Sequence, residues 1–291
     1  MNPSLSFITQ AVKEDLLSLK EHGYIKQARQ LNESLNGSVY FSEKSTPLYF
    51  TGNPEADTVF VMLNPGCGKD ELRLTKAFLE DTQHALETCI TEMISYGSLD
   101  SEKKRIDNFD IKQAAFLFEF KDTGIELPDF LKNRDKEIAL LAKEKVLTQK
   151  LQLELIPYSS REFVDIFDNL EMTLRNIHAF QTHIERALNV ISAKKRKYIL
   201  LGSKQHYHIL VALNKLGIKK VELHEPMGFR IDNLKNRVFF NTGSILHNGE
   251  WINVGIPYSF PRRDLPNAFD KMREYGRLCF EEMEKRFSRT S

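Results

Sequence analysis

Cysteine is scarce: the chain holds three, Cys67, Cys89 and Cys279, far apart and without Cys-x-x-Cys spacing. An odd number with no paired spacing argues against a disulfide framework and against a zinc or iron–sulfur centre, and it suits a reducing compartment. An excess of one charge is missing too, since the formal net charge is only +1. Nothing global therefore announces a nucleic-acid binder, although the 41 Lys and Arg residues suffice for a local basic face. No apolar run reaches the ~18 residues that suggest a membrane span. The opening MNPSLSFITQAVKEDLL lacks the charged and apolar regions of a secretory leader. The expectation is a cytoplasmic protein with no membrane and no obligate protein partner. Three catalytic signatures are also absent: the phosphate loop GxxxxGK[ST], the dinucleotide fingerprint GxGxxG and the nucleophile elbow GxSxG.

What is present reads as an α/β protein. The 291 residues allow one large domain or two small ones, and 41% apolar with 28% charged is ordinary globular balance. The first 35 positions carry apolar residues at helical spacing, and a turn-rich segment follows. DTVFVML (57–63) is a short, β-branched and aromatic run, as a core strand should be. Positions near 75–150 are mainly helical and too long for a simple crossover, which predicts an inserted helical region. LQLELIPYSS (151–160) is a second strand with a Pro-Tyr-Ser-Ser turn. KKRKYILLGSKQHYHIL (194–210) gives strand, Gly turn and helix; KKVELHE and RVFFNTGS are further strands, and the tail is an amphipathic helix. The expected fold is a single domain of three α/β/α layers around a mostly parallel sheet.

In such sheets ligands sit at the carboxyl ends of the strands. Four turns therefore stand out: LNPGCG (63–68), IPYSS (156–160), LGSKQ (201–205) and the late loop VGIPYSFPRRDLPN (254–267). By spacing alone, LNPG is a plain strand-to-helix turn, for which Asn-Pro-Gly is well suited. The Lys194–Lys197 run precedes a strand, opposite the active edge, and reads as a solvated face. Ser203, Lys204 and Gln205 lie at the carboxyl edge and suit phosphate. His206 and His208 are two apart and face different directions on a helix, so they do not share a metal. Arg262 and Arg263 suit phosphate clamping, and Phe260 suits wedging into a base stack, with core packing as its equal alternative. Tyr158 and Phe163 raise the same choice between base stacking and core.

The order of these turns resembles the uracil-DNA glycosylase superfamily, nearest its mismatch-specific thymine/uracil and single-strand-selective branches. Their first motif reads Gly-Ile/Met-Asn-Pro-Gly, and here stand Met62, Leu63, Asn64, Pro65 and Gly66. Their last motif is a His-Pro-Ser-Pro-type loop, matched in position by Pro257, Tyr258, Ser259, Phe260, Pro261 and Arg262. The resemblance implies a monofunctional glycosylase without cofactor or metal that hydrolyses an N-glycosidic bond of a base flipped out of DNA. Asn64 would orient the water. Tyr258 would replace the missing His as donor to the departing base. Met62, Leu63, Pro65, Gly66 and Tyr158 would line the base site. Ser203, Lys204, Gln205, Ser259, Phe260, Arg262 and Arg263 would hold DNA. Lys69 is the one nearby lysine to weigh as a nucleophile.

Two departures bear on the substrate. Met62 stands where the family has Gly. Glu154 falls where the family has an Asn that reads the pyrimidine edge; a carboxylate there suits cytosine's exocyclic amine better than a uracil oxygen. The alternative is a solvated or Lys-paired Glu154. A glycosylase directed at cytosine must recognise an added group, which points to a hypermodified cytosine of phage DNA and a defence role. The alternatives are a uracil or mismatch repair enzyme, a silent DNA-binding module of the same fold, and an enzyme of free nucleosides.

Overall fold

Gly23, at φ 75°, ends the first helix and separates α1 (Pro3–His22) from α2 (Lys26–Ser34). Its N–H still reaches the Leu19 carbonyl at 2.9 Å, so the left-handed residue closes the last turn. The computed structural model describes residues 3–35, 39–65, 76–95, 108–120, 145–160, 170–231, 234, 237–258 and 269–287. Within the expected helical region of 75–150 it describes α3 (Lys76–Glu80), α4 (Thr82–Ser95), α5 (Asn108–Leu117) and a 3-10 turn at Phe118–Phe120. Residues 96–107 and 121–144 of that region, and the turn residues from Gly66 to 75, lie outside the described residues.

The strands are β1 (Phe50–Gly52), β2 (Thr58–Met62), β3 (Lys150–Glu154), β4 (Tyr198–Leu201), β5 (Val221–Leu223), β6 (Met227–Phe229), β7 (Val238–His247) and β8 (Glu250–Pro257). They form one sheet in the order β1-β3-β2-β4-β8-β7-β5, with β6 paired to β7. The centre, β3-β2-β4-β8, is parallel, as expected. The flanks differ from the expectation of a mostly parallel sheet: β1 on one side, and β5, β6 and β7 on the other, pair antiparallel. The physical cause on the β8 side is the turn between β7 and β8. Asn248 and Gly249 have φ 51° and 84°, the two-residue hairpin geometry that returns the chain antiparallel.

Alternation along the strands distributes the core to both faces. Val59 and Val61 of β2 join Leu151 and Leu153 of β3 beneath α1, α4, α6 (Leu170–Asn176), α7 (His178–Ser192) and α8 (Lys204–Lys215). Phe60, Tyr198, Leu200 and Phe240 face the other way, against α5 and α9 (Phe269–Phe287). The chain is thus mixed α/β with helices on both sides of the sheet. No helix among the described residues is long and apolar enough to cross a membrane.

Candidate functional site

Chain direction locates the site before any side chain is considered. From β2 the chain passes to β3 on one side, and from β4 it moves to the β8 side. The crevice between the carboxyl ends of β2 and β4 is therefore the topological switch point, where open α/β sheets hold ligands. Its walls are the residues after Met62 and those after Leu201.

Asn64 stands in that wall, half-buried. Its Nδ2 donates to the Pro65 carbonyl at 2.9 Å and to the Tyr158 carbonyl at 3.4 Å. Carbonyls only accept, so these partners fix the amide orientation. Oδ1 accepts no hydrogen bond among the described residues. The backbone beneath is rigid because the turns after β2 and β3 continue the strand pairing. Leu155 N–H donates to Met62 O at 2.9 Å, Ile156 N–H to Leu63 O at 2.8 Å, and Ser160 N–H to Pro65 O at 3.2 Å. Leu63 packs on the core beneath α7, and Met62 on the core beneath α9.

Glu154 ends β3 in register with Met62 and is 7% exposed. The solvated-face alternative is thereby removed. Oε1 accepts from Gln152 Nε2 at 2.6 Å, while buried Oε2 has no hydrogen-bond partner among the described residues. Burial pushes this acid up to about 8; the Gln152 bond and attraction to Lys150 pull the other way.

Tyr258 follows β8, one residue past the strand, with its ring 5.4 Å from that of Tyr207. Asn241 Nδ2 donates to its hydroxyl at 3.3 Å, which leaves the phenolic proton free to be donated. Burial raises its pKa to about 12, so it stays protonated at neutral pH. Glu154 ends the strand beside the one that leads to Asn64 and shares the face of β3 that meets α5, whereas Tyr258, two strands from Asn64, packs on the opposite face beneath α7 and α8.

Ser203 caps α8 from a buried position, but its Oγ lies 3.3 Å from His206 Nδ1 and makes no side-chain cap. Lys204 is exposed and Gln205 half-buried at the same helix start. His206 is buried beside the Met62 backbone, and burial lowers its pKa to about 4, with the Ser203 and Met62 backbones partly offsetting this. Its ring is neutral and belongs to the floor of the crevice.

Tyr158 corrects one expectation. Its side chain is 1% exposed and its hydroxyl lies 3.2 Å from Asp15 Oδ2 of α1, so the ring is committed to the core and not to base stacking. It serves the crevice through its backbone, by holding Asn64. Two members of the basic run are likewise engaged at the opposite edge: Lys194 pairs with Asp57 at 3.0 Å, and Arg196, buried where a solvated face was expected, donates to the Pro54 carbonyl at 2.9 Å. Gly66, Ser259, Phe260, Arg262, Arg263, Lys69 and Phe163 lie outside the described residues. No group of three or more His, Cys, Asp or Glu converges as a metal site among the described residues.

Sequence reasoning missed Gln113, Lys150, Gln152 and Asn241, whose contacts orient the edge residues. It also missed a buried cluster behind Tyr158. Tyr49 donates to Asp15 at 2.7 Å, and Arg186 lies 2.8 Å from His183 Nδ1. Burial raises Asp15 to about 7, against the Tyr49 bond, Arg186 attraction and the Tyr158 bond, with Glu14 adding to the rise.

These shifts fix a pH dependence. Asp15 and Glu154 have ordinary values of 3.8 and 4.5, so between those and the raised values the folded state holds more protons than the unfolded chain. Their stabilising contribution is whole at low pH and is lost as pH rises. Four histidines with lowered values, His206, His183, His208 and His247, act in the opposite sense, and their effect fades within about one pH unit above the ordinary 6.5. Across neutral pH the acids dominate. Denaturant stability is expected to fall by roughly 2 kcal/mol between about pH 6.5 and 8.5, and Glu154→Gln should remove most of the slope. A flat wild-type profile would contradict the assignment.

Comparison with protein-family models, with curated proteins and with solved structures finds no match for this chain.

Proposed function

We propose that the chain is a monofunctional DNA glycosylase of uracil-DNA glycosylase-like fold, acting on a flipped-out, non-standard pyrimidine. The observation that carries this reading is the state of the carboxyl edge. Among the described residues, Asn64, Glu154 and Tyr258 each have one hydrogen-bonding function held by the protein and another without a partner: the acceptor Oδ1 of Asn64, Oε2 of Glu154 and the phenolic proton of Tyr258. Those are the parts that hydrolysis of an N-glycosidic bond requires.

The C1′–N bond breaks with its electron pair leaving on the base, and the sugar acquires oxocarbenium character. Asn64 Oδ1 accepts a hydrogen bond from the water that adds to C1′; an amide is too weak a base to take its proton outright, so that proton passes to solvent. Tyr258 donates to the departing base and disperses its charge. Glu154 meets the base edge. The start of α8, with Ser203, Lys204 and Gln205, suits a flanking phosphate, because helix N–H groups and an exposed cation favour anions. Ser259, Phe260, Arg262 and Arg263 complete the expected DNA contacts. A hypermodified cytosine of phage DNA, and so a defence role, is the substrate this reading favours.

The test is abasic-site formation on duplexes and single strands carrying uracil, a thymine mismatch or glycosylated hydroxymethylcytosine. Abasic sites on the last substrate are expected. Cleavage of uracil alone would overturn the cytosine preference, and activity confined to free nucleosides would overturn the DNA reading.

A further inference from the structure

Four polar side chains are buried in a row beside the crevice: Gln113 at 0% exposure, Lys150 at 5%, Gln152 at 9% and Glu154 at 7%. Lys150, Gln152 and Glu154 alternate along β3 and share one face, and Gln113 comes down on them from α5. Polar groups this deep are costly unless they serve one another, and their bonds have a direction.

That direction can be read from the lysine. An ammonium only donates, and Lys150 Nζ donates to Gln113 Oε1 and, at 2.7 Å, to Gln152 Oε1. Each amide is thereby turned so that its nitrogen faces away from the lysine. Gln113 Nε2 accordingly donates to Gln152 Oε1 at 2.8 Å, and Gln152 Nε2 donates to Glu154 Oε1 at 2.6 Å. Neither glutamine can flip without setting N–H against ammonium. The relay therefore runs one way and ends by designating Oε1 of Glu154 as an acceptor.

We infer that Lys150, Gln113 and Gln152 are positioning residues that make Glu154 a reading head of fixed polarity, with Oε2 the atom that meets the base. This deepens the glycosylase reading and rests on it for the identity of the ligand. A carboxyl group whose Oε1 is held as acceptor carries its proton, when it has one, on Oε2. With the acid raised by burial, Oε2–H is a donor at neutral pH, and Oε1 keeps a second lone pair. The complementary edge offers an acceptor and a donor side by side, as cytosine does with N3 and its exocyclic amine. The described groups that act on the carboxyl are Gln152 and Lys150 of its own strand, with Gln113 of α5 linked to it through both.

The test uses Gln152→Leu and Lys150→Met, each checked for native circular dichroism, with Gln152→Glu as a second variant should the leucine form fail to fold. Infrared difference spectroscopy follows the carboxylic C=O of Glu154, identified by its loss in Glu154→Gln. Removing the Gln152 bond or the Lys150 charge should raise the titration midpoint by about one pH unit or more, since each lowers the wild-type value. Selectivity, as the ratio of kcat/KM for the modified cytosine over uracil, should fall about tenfold or more, the weight of a good bidentate base contact. An unmoved midpoint in both variants would overturn the relay, even in an active enzyme. If no DNA is cleaved by wild type, the glycosylase reading falls while the titration still decides the relay.

Discussion

Asn64→Ala should lower the single-turnover rate of base excision by about 10²-fold or more, the scale of losing a group that orients a reactant or an electrostatic contact in the transition state. DNA affinity should stay within about twofold, because phosphate contacts supply most of it. The argument is local. Asn64 Nδ2 is committed to the carbonyls of Pro65 and Tyr158, which fixes the amide orientation and leaves Oδ1 without a partner among the described residues. Alanine removes that acceptor without disturbing the turn, which is held by the Leu155, Ile156 and Ser160 N–H bonds to residues 62–65. Asn64→Asp is the informative companion. It keeps an acceptor but loses the donor to two carbonyls, so it should fall between wild type and alanine. Rapid quench with labelled oligonucleotide and a binding titration on the same samples measure both quantities.

The largest stability effect is expected at Gly276. This buried glycine lies where α9 crosses α5, and an added Cβ would overlap the Phe116 carbonyl oxygen and stand 2.8 Å from its carbonyl carbon. Those atoms are backbone and cannot rotate away. Alanine normally improves a helix interior by roughly 1 kcal/mol, yet here α9 must lift from the sheet and unpack Tyr275, Cys279 and Met283, all buried. Gly276→Ala should cost about 3 kcal/mol or more in urea unfolding, the scale of severe overpacking. Gly217→Ala is the contrast: φ is 68° but nothing lies within 4 Å of the new Cβ, so only backbone strain of about 1 kcal/mol is expected. Similar losses in the two variants would show that α5 and α9 yield more easily than their contact suggests.

The parallel centre of the sheet was legible because β2, β3 and β4 are short runs bounded by turn residues. The antiparallel flank was not drawn from the sequence, although Asn248-Gly249 between apolar stretches is a strong hairpin signal. The end of β8, Val254 to Pro257, blends into the Pro-rich loop after it and by sequence belongs to that loop. Asn64 is legible through the Asn-Pro-Gly motif after a core strand, and Glu154 through its register on the next strand, where a period of two sets its face. Tyr158 was misjudged because it sits in a turn, where no period fixes side-chain direction, and its partner Asp15 is 143 residues away. The relay was invisible for a related reason. Its alternating Lys-Leu-Gln-Leu-Glu can be seen in the sequence, but Gln113, which completes it, is 39 residues from Gln152.

The most direct measurement of the central claim is a mass-spectrometric count of free base and abasic site from one reaction. DNA bearing a modified cytosine is treated with wild type and with Asn64→Ala at saturating protein. Wild type should release base and abasic site in equal amounts, with the strand uncut, and Asn64→Ala should release neither on the same timescale while still binding. Equal release by both proteins would contradict the assignment of the turn after β2 as the place where the glycosidic bond is hydrolysed.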